Sequence, residues 1–79
     1  QMNFKELRQF VGYQNGVPQT QRDMMTAIGR AGHDSGASWS NWETGKHIPD
    51  TDSLMLIAKT FNVTVVITPD GKIDLEKQS

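Results

Sequence analysis

The fold is decided by one continuous stretch of the sequence, Ser38-Trp39-Ser40-Asn41-Trp42-Glu43-Thr44-Gly45-Lys46-His47-Ile48-Pro49. Its two tryptophans are three residues apart, so in a helix both face one side and the small polar residues between them face the other. Gly45 suits the left-handed residue that ends a helix, and Lys46 is favourable beside the helix C-terminus. The stretch therefore predicts a short helix with a buried aromatic face and an exposed polar face.

A further helix and then a change of period follow this stretch. Asp50 can cap a helix that runs to Phe61, with apolar residues at helical spacing between them. From position 63 the period changes from 3.6 to 2, and Pro-Asp-Gly at 69–71 is a turn signal before a second alternating run. The sequence predicts a C-terminal β-strand or hairpin.

Two helices are predicted upstream by their caps. Asn3 and Glu6 have the spacing of a capping box, and Thr20 can cap a second helix. The inward faces are predicted to carry Leu7, Phe10 and Val11 in the first helix, and Met24, Met25 and Ile28 in the second. The first helix is expected to end at Gly12 and Asn15-Gly16, and the second at Gly29 and Gly32, before a long turn that reaches Gly36.

Length and composition limit the class of protein. The chain has 79 residues, no cysteine and a net charge of −1. A chain of this length forms one small domain near the lower limit of what folds unaided, so a partner chain would help its stability. Without cysteine there is neither a disulfide nor a thiolate metal site. No apolar run is long enough to span a bilayer and no signal-peptide segment is present, so we expect a cytoplasmic protein without a membrane partner.

The segment from Gln21 to about Val65 resembles the phage repressor/Cro superfamily, also called the Xre family of helix-turn-helix regulators. This segment spans over half of the chain, and its matching pieces are Gln21, Ile28-Gly29, SNWETGK at 40–46, Ile48-Pro49 and LMLIAKTFNV at 54–63. The resemblance implies a mainly α fold, with a four-to-five-helix repressor-like helix-turn-helix domain over residues 1–62 and a C-terminal strand or hairpin over residues 63–79. The long turn before the third helix departs from the tight turn of the family.

The resemblance also implies double-stranded DNA as the partner, read by the third helix. Asn41 is the leading base contact, because its amide can pair with the N6 and N7 atoms of adenine and its position matches a base-contacting position of the family. The other base-contact candidates are Gly36, Ala37, Ser38 and Ser40. The candidates for phosphate contact are Gln21 and Lys46, which match the family, and Arg22 and Arg30, which add charge but are equally well read as ordinary surface residues.

The net charge of −1 argues mildly against DNA binding, because phosphate contacts usually require a basic surface. The acidic side chains are unevenly placed, however. Residues 20–48 carry three basic and three acidic side chains, whereas residues 49–79 carry three basic and five acidic ones. Acidity therefore collects away from the expected DNA face.

Other chemistry is weakly supported. The resemblance implies that Glu43 pairs with Arg8 as an internal brace between helices. His33, Asp34 and His47 lack the ligand spacing of a metal site, and the nearby serines lack a nucleophile turn or an oxyanion motif. The two tryptophans could stack on single-stranded bases, but their spacing favours a packed core. We therefore expect no enzyme, no metal and no cofactor.

Three functions remain open on the sequence. The first is a transcriptional repressor that binds a palindromic operator as a homodimer. The second is an antitoxin that binds both operator DNA and a toxin protein. The third is a protein-interaction module that has lost DNA binding. In the dimer, the alternating strand needs a partner surface, and we expect it to pair across a two-fold axis through Val63, Val65, Val66 and Ile67.

Overall fold

The computed structural model describes residues 1–30 and 36–78. Over these residues the chain forms four helices and then two strands: α1 (Phe4–Asn15), α2 (Gln21–Ala27), α3 (Ala37–Thr44), α4 (Thr51–Phe61), β1 (Val63–Ile67) and β2 (Ile73–Lys77). This order confirms the predicted mainly α fold with a C-terminal hairpin. The long turn predicted before the third helix reaches to Gly36. Its residues 31–35 lie outside the described residues.

Predicted capping residues mark the starts of α1, α2 and α4 and the ends of α3 and α4. Asn3 and Thr20 each form a capping box at the start of α1 and α2. The Asp50 side chain accepts the backbone N–H of the third residue of α4. Gly45 and Asn62 end α3 and α4 in the left-handed conformation, with φ of 79° and 55°. Local capping chemistry therefore sets the end of α3 and both ends of α4, whereas the start of α3 at Gly36 has no side-chain cap.

Gly12 does not end α1, contrary to the sequence prediction. The helix continues through it to Asn15, and Gly16 makes the left-handed stop with φ of 72°. Gly12 is buried against the chain that leads into α2, where an added Cβ would lie 3.2 Å from backbone atoms of Pro18 and Gln19. The glycine allows this close approach of two backbone segments.

A single core joins the helices to the hairpin. Its buried members are Phe4, Leu7, Val11, Met24, Met25, Ile28, Trp39, Trp42, Ile57, Val63 and Leu75. The predicted boundary between residues 62 and 63 falls between α4 and β1, yet Val63 and Leu75 are buried in the same cluster as the helices. Met55, one of the apolar residues of α4, lies outside this core and is 65% exposed.

The two strands form an antiparallel hairpin in which Val65 stands opposite Leu75 and Ile67 opposite Ile73. The turn between them contains Gly71 at φ of 82°, as the Pro-Asp-Gly signal predicts. On its other side, β2 pairs with the N-terminal segment, since Met2 and Leu75 exchange two backbone hydrogen bonds of 2.7 Å. The start of the chain therefore holds the hairpin against α1.

Among the helices of the described residues, none has the length and apolar character needed to cross a membrane.

Candidate nucleic-acid interface

The aromatic face of α3 is buried in the core. Trp39 is fully buried and Trp42 is 9% exposed, and their ring centroids lie 5.3 Å apart. Phe4 meets the Trp39 ring edge-on at 5.8 Å, and Phe61 meets it edge-on at 6.3 Å. Edge-to-face packing of this kind stabilises the core beyond the effect of the buried area alone. The two indoles are core residues, as the spacing predicted, and they fix the rotation of α3.

The opposite face of α3 is small and polar. Ala37 is exposed, while Ser38, Ser40 and Asn41 are half-buried. The backbone carbonyl of Asn41 accepts the Thr44 hydroxyl and the His47 N–H, but its side-chain amide makes no hydrogen bond with residues 1–30 or 36–78. Held on a rigid helix and uncommitted, this amide can donate and accept at once, as a contact to adenine requires.

Gly36 lies at the start of α3 and has a packing role that the sequence prediction missed. It is buried, has φ of 98°, and an added Cβ would lie 2.7 Å from the backbone nitrogen of Arg22. Both its conformation and its contact with the first turn of α2 require glycine. A residue buried against another helix has no surface to offer a base, so we leave Gly36 out of the interface proposed below. No local signal in the sequence marks this role, because the contact joins Gly36 to a distant position of the chain.

Exposed cations stand at the two ends of α3. The close contact at Gly36 brings Arg22 beside the start of the helix, and Lys46 follows the left-handed Gly45 at its end. Both are exposed. The ion pairs found in the described residues join Arg8 with Glu43 and Lys72 with Asp70, so neither cation is neutralised by a direct pair. Phosphates on either side of a groove could be held at these two positions.

A brace of three side chains locks α3 to the first two helices. Arg8 donates to both carboxylate oxygens of Glu43, at 2.6 and 3.1 Å, and also to the backbone carbonyl of Gln19 at 3.0 Å. Gln21 donates its amide to the same carboxylate at 3.2 Å. The Arg8–Glu43 pair confirms the predicted brace. Gln21 was predicted to contact a phosphate through its side-chain amide. In the structure this amide donates a hydrogen bond to Glu43 inside the protein.

Burial and hydrogen bonding act in opposite directions on the pKa of Glu43. Burial raises it, because the charged form loses water, but hydrogen bonds from Arg8 and Gln21 and the charge of Arg8 outweigh this and leave the pKa below its ordinary value. The carboxylate is therefore charged at neutral pH, and the bidentate pair with Arg8 is maintained.

Arg30 faces a groove of about 350 Å³ beside α3, which Asn41, His47 and Asp50 also line. Its guanidinium donates to the buried hydroxyl of Ser53 at 2.8 Å. Hydrogen bonds from Ser53, and then the charge of Arg30, lower the pKa of Asp50. Arg30 thus ties the end of α2 to the start of α4, a link between residues 23 positions apart that the sequence did not indicate. The nearby negative charge of Asp50 offsets part of the positive charge of Arg30.

The chain matches no protein-family model, no curated protein and no solved structure. The resemblance to the Xre family therefore rests on the quoted residues.

The four residues predicted for dimerisation fall in different environments. Val63 is 1% exposed and belongs to the core of its own chain, whereas Ile67 is 72% exposed. Val65 and Val66 are half-buried. Since the hairpin covers its apolar face with its own core, a partner chain is not needed to cover Val63. What the hairpin leaves open is the outer edge of β1 near Val65 and Ile67.

Within residues 1–30 and 36–78 the side chains of His, Asp and Glu form no group of three or more that could hold a metal ion. His33 and Asp34, which we considered with His47, lie outside the described residues.

Proposed function

We propose that this protein is a sequence-specific double-stranded DNA-binding regulator that inserts α3 into the major groove. One arrangement carries the proposal: a polar face of Ala37, Ser38, Ser40 and Asn41, held from behind by two buried tryptophans, with Arg22 and Lys46 exposed at its two ends. A rigid helix that offers small polar side chains to base edges and cations to the flanking phosphates meets the needs of direct readout.

The brace supports this reading. Arg8, Gln21 and Glu43 fix α3 against α1 and α2 without using any residue of the exposed polar face. In a helix-turn-helix unit the second helix must be held at a set angle, so that its residues reach base edges while the first helix crosses the backbone. We therefore assign α2 and α3 to these two roles.

Low basic charge favours binding by two copies. Arg22 and Lys46 are the cations at this face that make no ion pair within the described residues, so affinity from phosphate contacts is modest. We propose a homodimer on a palindromic site with half-sites about one helical turn, roughly 34 Å, apart. Such a protein would act in the cytoplasm as a repressor, by covering a promoter.

The test is selection of binding sites from random duplexes, followed by footprinting of the wild-type protein on the enriched sequence. We expect a two-fold symmetric consensus and paired protected segments. Failure to enrich any duplex at low salt would reject DNA binding. Full-affinity protection of one unpaired half-site would reject the dimer and keep the DNA-binding role.

A further inference from the structure

Strand β1 is an edge strand without the usual protection. Its five residues, Val-Thr-Val-Val-Ile, include neither a charge nor a proline. The charged residues are on the inner strand β2, which carries Asp74, Glu76 and Lys77 and is itself covered at Leu75 by Met2. Proteins usually blunt an open edge with charge, proline or a covering segment, because its free backbone groups otherwise pair with another chain. Here the charges are absent from the strand whose edge is open.

The hydrogen-bond pattern shows which groups of β1 point to this edge. Leu75 exchanges both of its backbone hydrogen bonds with Met2, so its N–H and C=O point away from β1. Leu75 stands opposite Val65, so these two residues form a non-hydrogen-bonded pair and the N–H and C=O of Val65 point away from β2. Along a strand, the N–H and C=O groups of successive residues point alternately to one side and the other. The backbone groups of Val63, Val65 and Ile67 therefore face outward, and none of them bonds to another described residue.

One self-pairing register uses the accessible groups alone. Val63 is 1% exposed, so the start of the edge is closed by the protein itself. Pro69, just past the other end, has no N–H to donate. A two-fold antiparallel ladder must then pair Val65 of each copy with Ile67 of the other copy, which gives two symmetry-related pairs. This register places Val66 opposite Val66 of the second copy, and the two matched pairs exchange four hydrogen bonds.

We infer that β1 pairs antiparallel with β1 of a second copy about a two-fold axis at Val66, so that the two hairpins form one continuous sheet. The choice of a second copy as the partner rests on the proposed function, since a palindromic site requires two protomers. The side chains fit the register. Ile67, which is 72% exposed in one protomer, lies beside Val65 of the second copy, and the uncharged strand brings no like charges together.

The size of this contact sets its strength. A ladder of so few residues buries less than the roughly 1,200 Å² or more typical of stable complexes. The dimer is therefore weak in free solution. On DNA the two half-sites hold both copies at a high effective concentration, which completes the pairing.

The register can be tested by disulfide trapping in the full chain, which has no cysteine of its own. Opposed residues of a non-hydrogen-bonded pair have Cα atoms about 4.5 Å apart, within the range of about 4.4–6.8 Å that a disulfide spans. We expect Val66→Cys to shift from monomer to covalent dimer under mild oxidation without DNA. The matched control is Thr64→Cys, an exposed position two residues away on the same face. In this register position 64 of one copy lies opposite Thr68 of the other. The two cysteines at position 64 are then too far apart to form a disulfide.

Mixing defines the register further. Thr64→Cys and Thr68→Cys proteins should cross-link to each other when combined and remain monomeric alone. Equal trapping of Val66→Cys and Thr64→Cys would indicate random collision and overturn the inference, as would trapping of Thr64→Cys alone or of neither. Since no DNA is present, this result is independent of whether the DNA-binding proposal holds.

A second measurement does not depend on cysteine. Ile67→Pro removes an outward N–H that the hairpin does not use, a position where edge strands tolerate proline. We expect it to abolish concentration-dependent dimerisation in sedimentation velocity, whereas Ile67→Val, which keeps the N–H, retains it. Both variants should keep the far-UV circular dichroism of the wild type. An Ile67→Pro protein that is folded and still dimerises would place the interface elsewhere.

Discussion

Asn41 lies in the last turn of α3 and Lys46 just after its end, yet their chemistry predicts different defects. The Asn41 amide makes no hydrogen bond with any described residue and can pair with one base, whereas we assign the Lys46 ammonium, which lies beyond the end of α3, to a phosphate. We expect Asn41→Ala to cost about 1–3 kcal/mol on the selected site and to flatten preference at one base position, and Lys46→Ala to weaken all sequences alike. Competition binding on single-base variants of the site measures both. An unchanged preference in Asn41→Ala would mean that another helix face reads the DNA.

The pair of Arg8 and Glu43 predicts a stability loss that depends on pH. Glu43 is 7% exposed in its side chain, and after Arg8→Met its carboxylate keeps the hydrogen bond from Gln21 but loses its cationic partner. We expect a loss of about 1–3 kcal/mol at pH 7, between the values for exposed and buried pairs. Lys5→Met, which removes an unpaired exposed charge from the same helix, is the control and should change little.

The sign of the pH effect follows from the lowered pKa of Glu43. A carboxyl group with a lower pKa in the folded protein contributes stability above its unfolded pKa of about 4.3, and this is lost as pH falls through the folded value. The urea-unfolding curves of wild type and Arg8→Met should therefore converge in acid. A difference that stays constant from pH 7 to pH 3 would show that Arg8 acts through packing and not through this ion pair.

At the level of elements, the angle between α2 and α3 depends on Gly36. Alanine there must adopt φ of 98° and place its Cβ 2.7 Å from the Arg22 backbone. Gly16 is a matched control, because it also has positive φ (72°) while its Cβ would meet no described atom within 4 Å. We expect Gly16→Ala to lose about 1–2 kcal/mol from the backbone conformation, and Gly36→Ala to lose an additional 1–3 kcal/mol, roughly, from overpacking. Denaturant unfolding compares them. Equal losses would show that α2 moves aside without cost.

These elements also show what the sequence could and could not predict. Caps such as Asn3, Thr20 and Asp50 act through residues three positions away, so the helix starts were readable from local pattern. The spacing of Trp39 and Trp42 gave the buried face of α3 for the same reason. The contacts of Gly36 with α2 and of Arg30 with Ser53 join distant positions, and no local pattern encodes them. For that reason the sequence predicted Gly36 as a base contact and did not indicate its packing against α2.

At the scale of the whole molecule, the hairpin belongs to the core. Ending the chain after Asn62 would remove Val63 and Leu75, both at most 1% exposed. Loss of one such aliphatic side chain costs about 2–5 kcal/mol, against a total stability of about 5–15 kcal/mol for a typical domain. We expect the truncated chain to lose cooperative thermal unfolding. A cooperative, helical product over residues 1–62 would instead establish the helices as an independent domain.

The charge of the whole protein predicts an unusually weak salt dependence of DNA binding. The net charge is −1, and Arg22 and Lys46 are the cations that flank α3 without a direct ion pair in the described residues. A dimer then neutralises four phosphates, which gives a slope of log affinity against log salt of about −4. Replacing both residues by glutamine should remove most of this slope, whereas Lys59→Gln, on α4, should leave it unchanged. A slope near −8 in the wild type, or one that persists in the double variant, would show that the DNA lies across a different face, because other cations of the protein would then have to displace the counterions of the DNA.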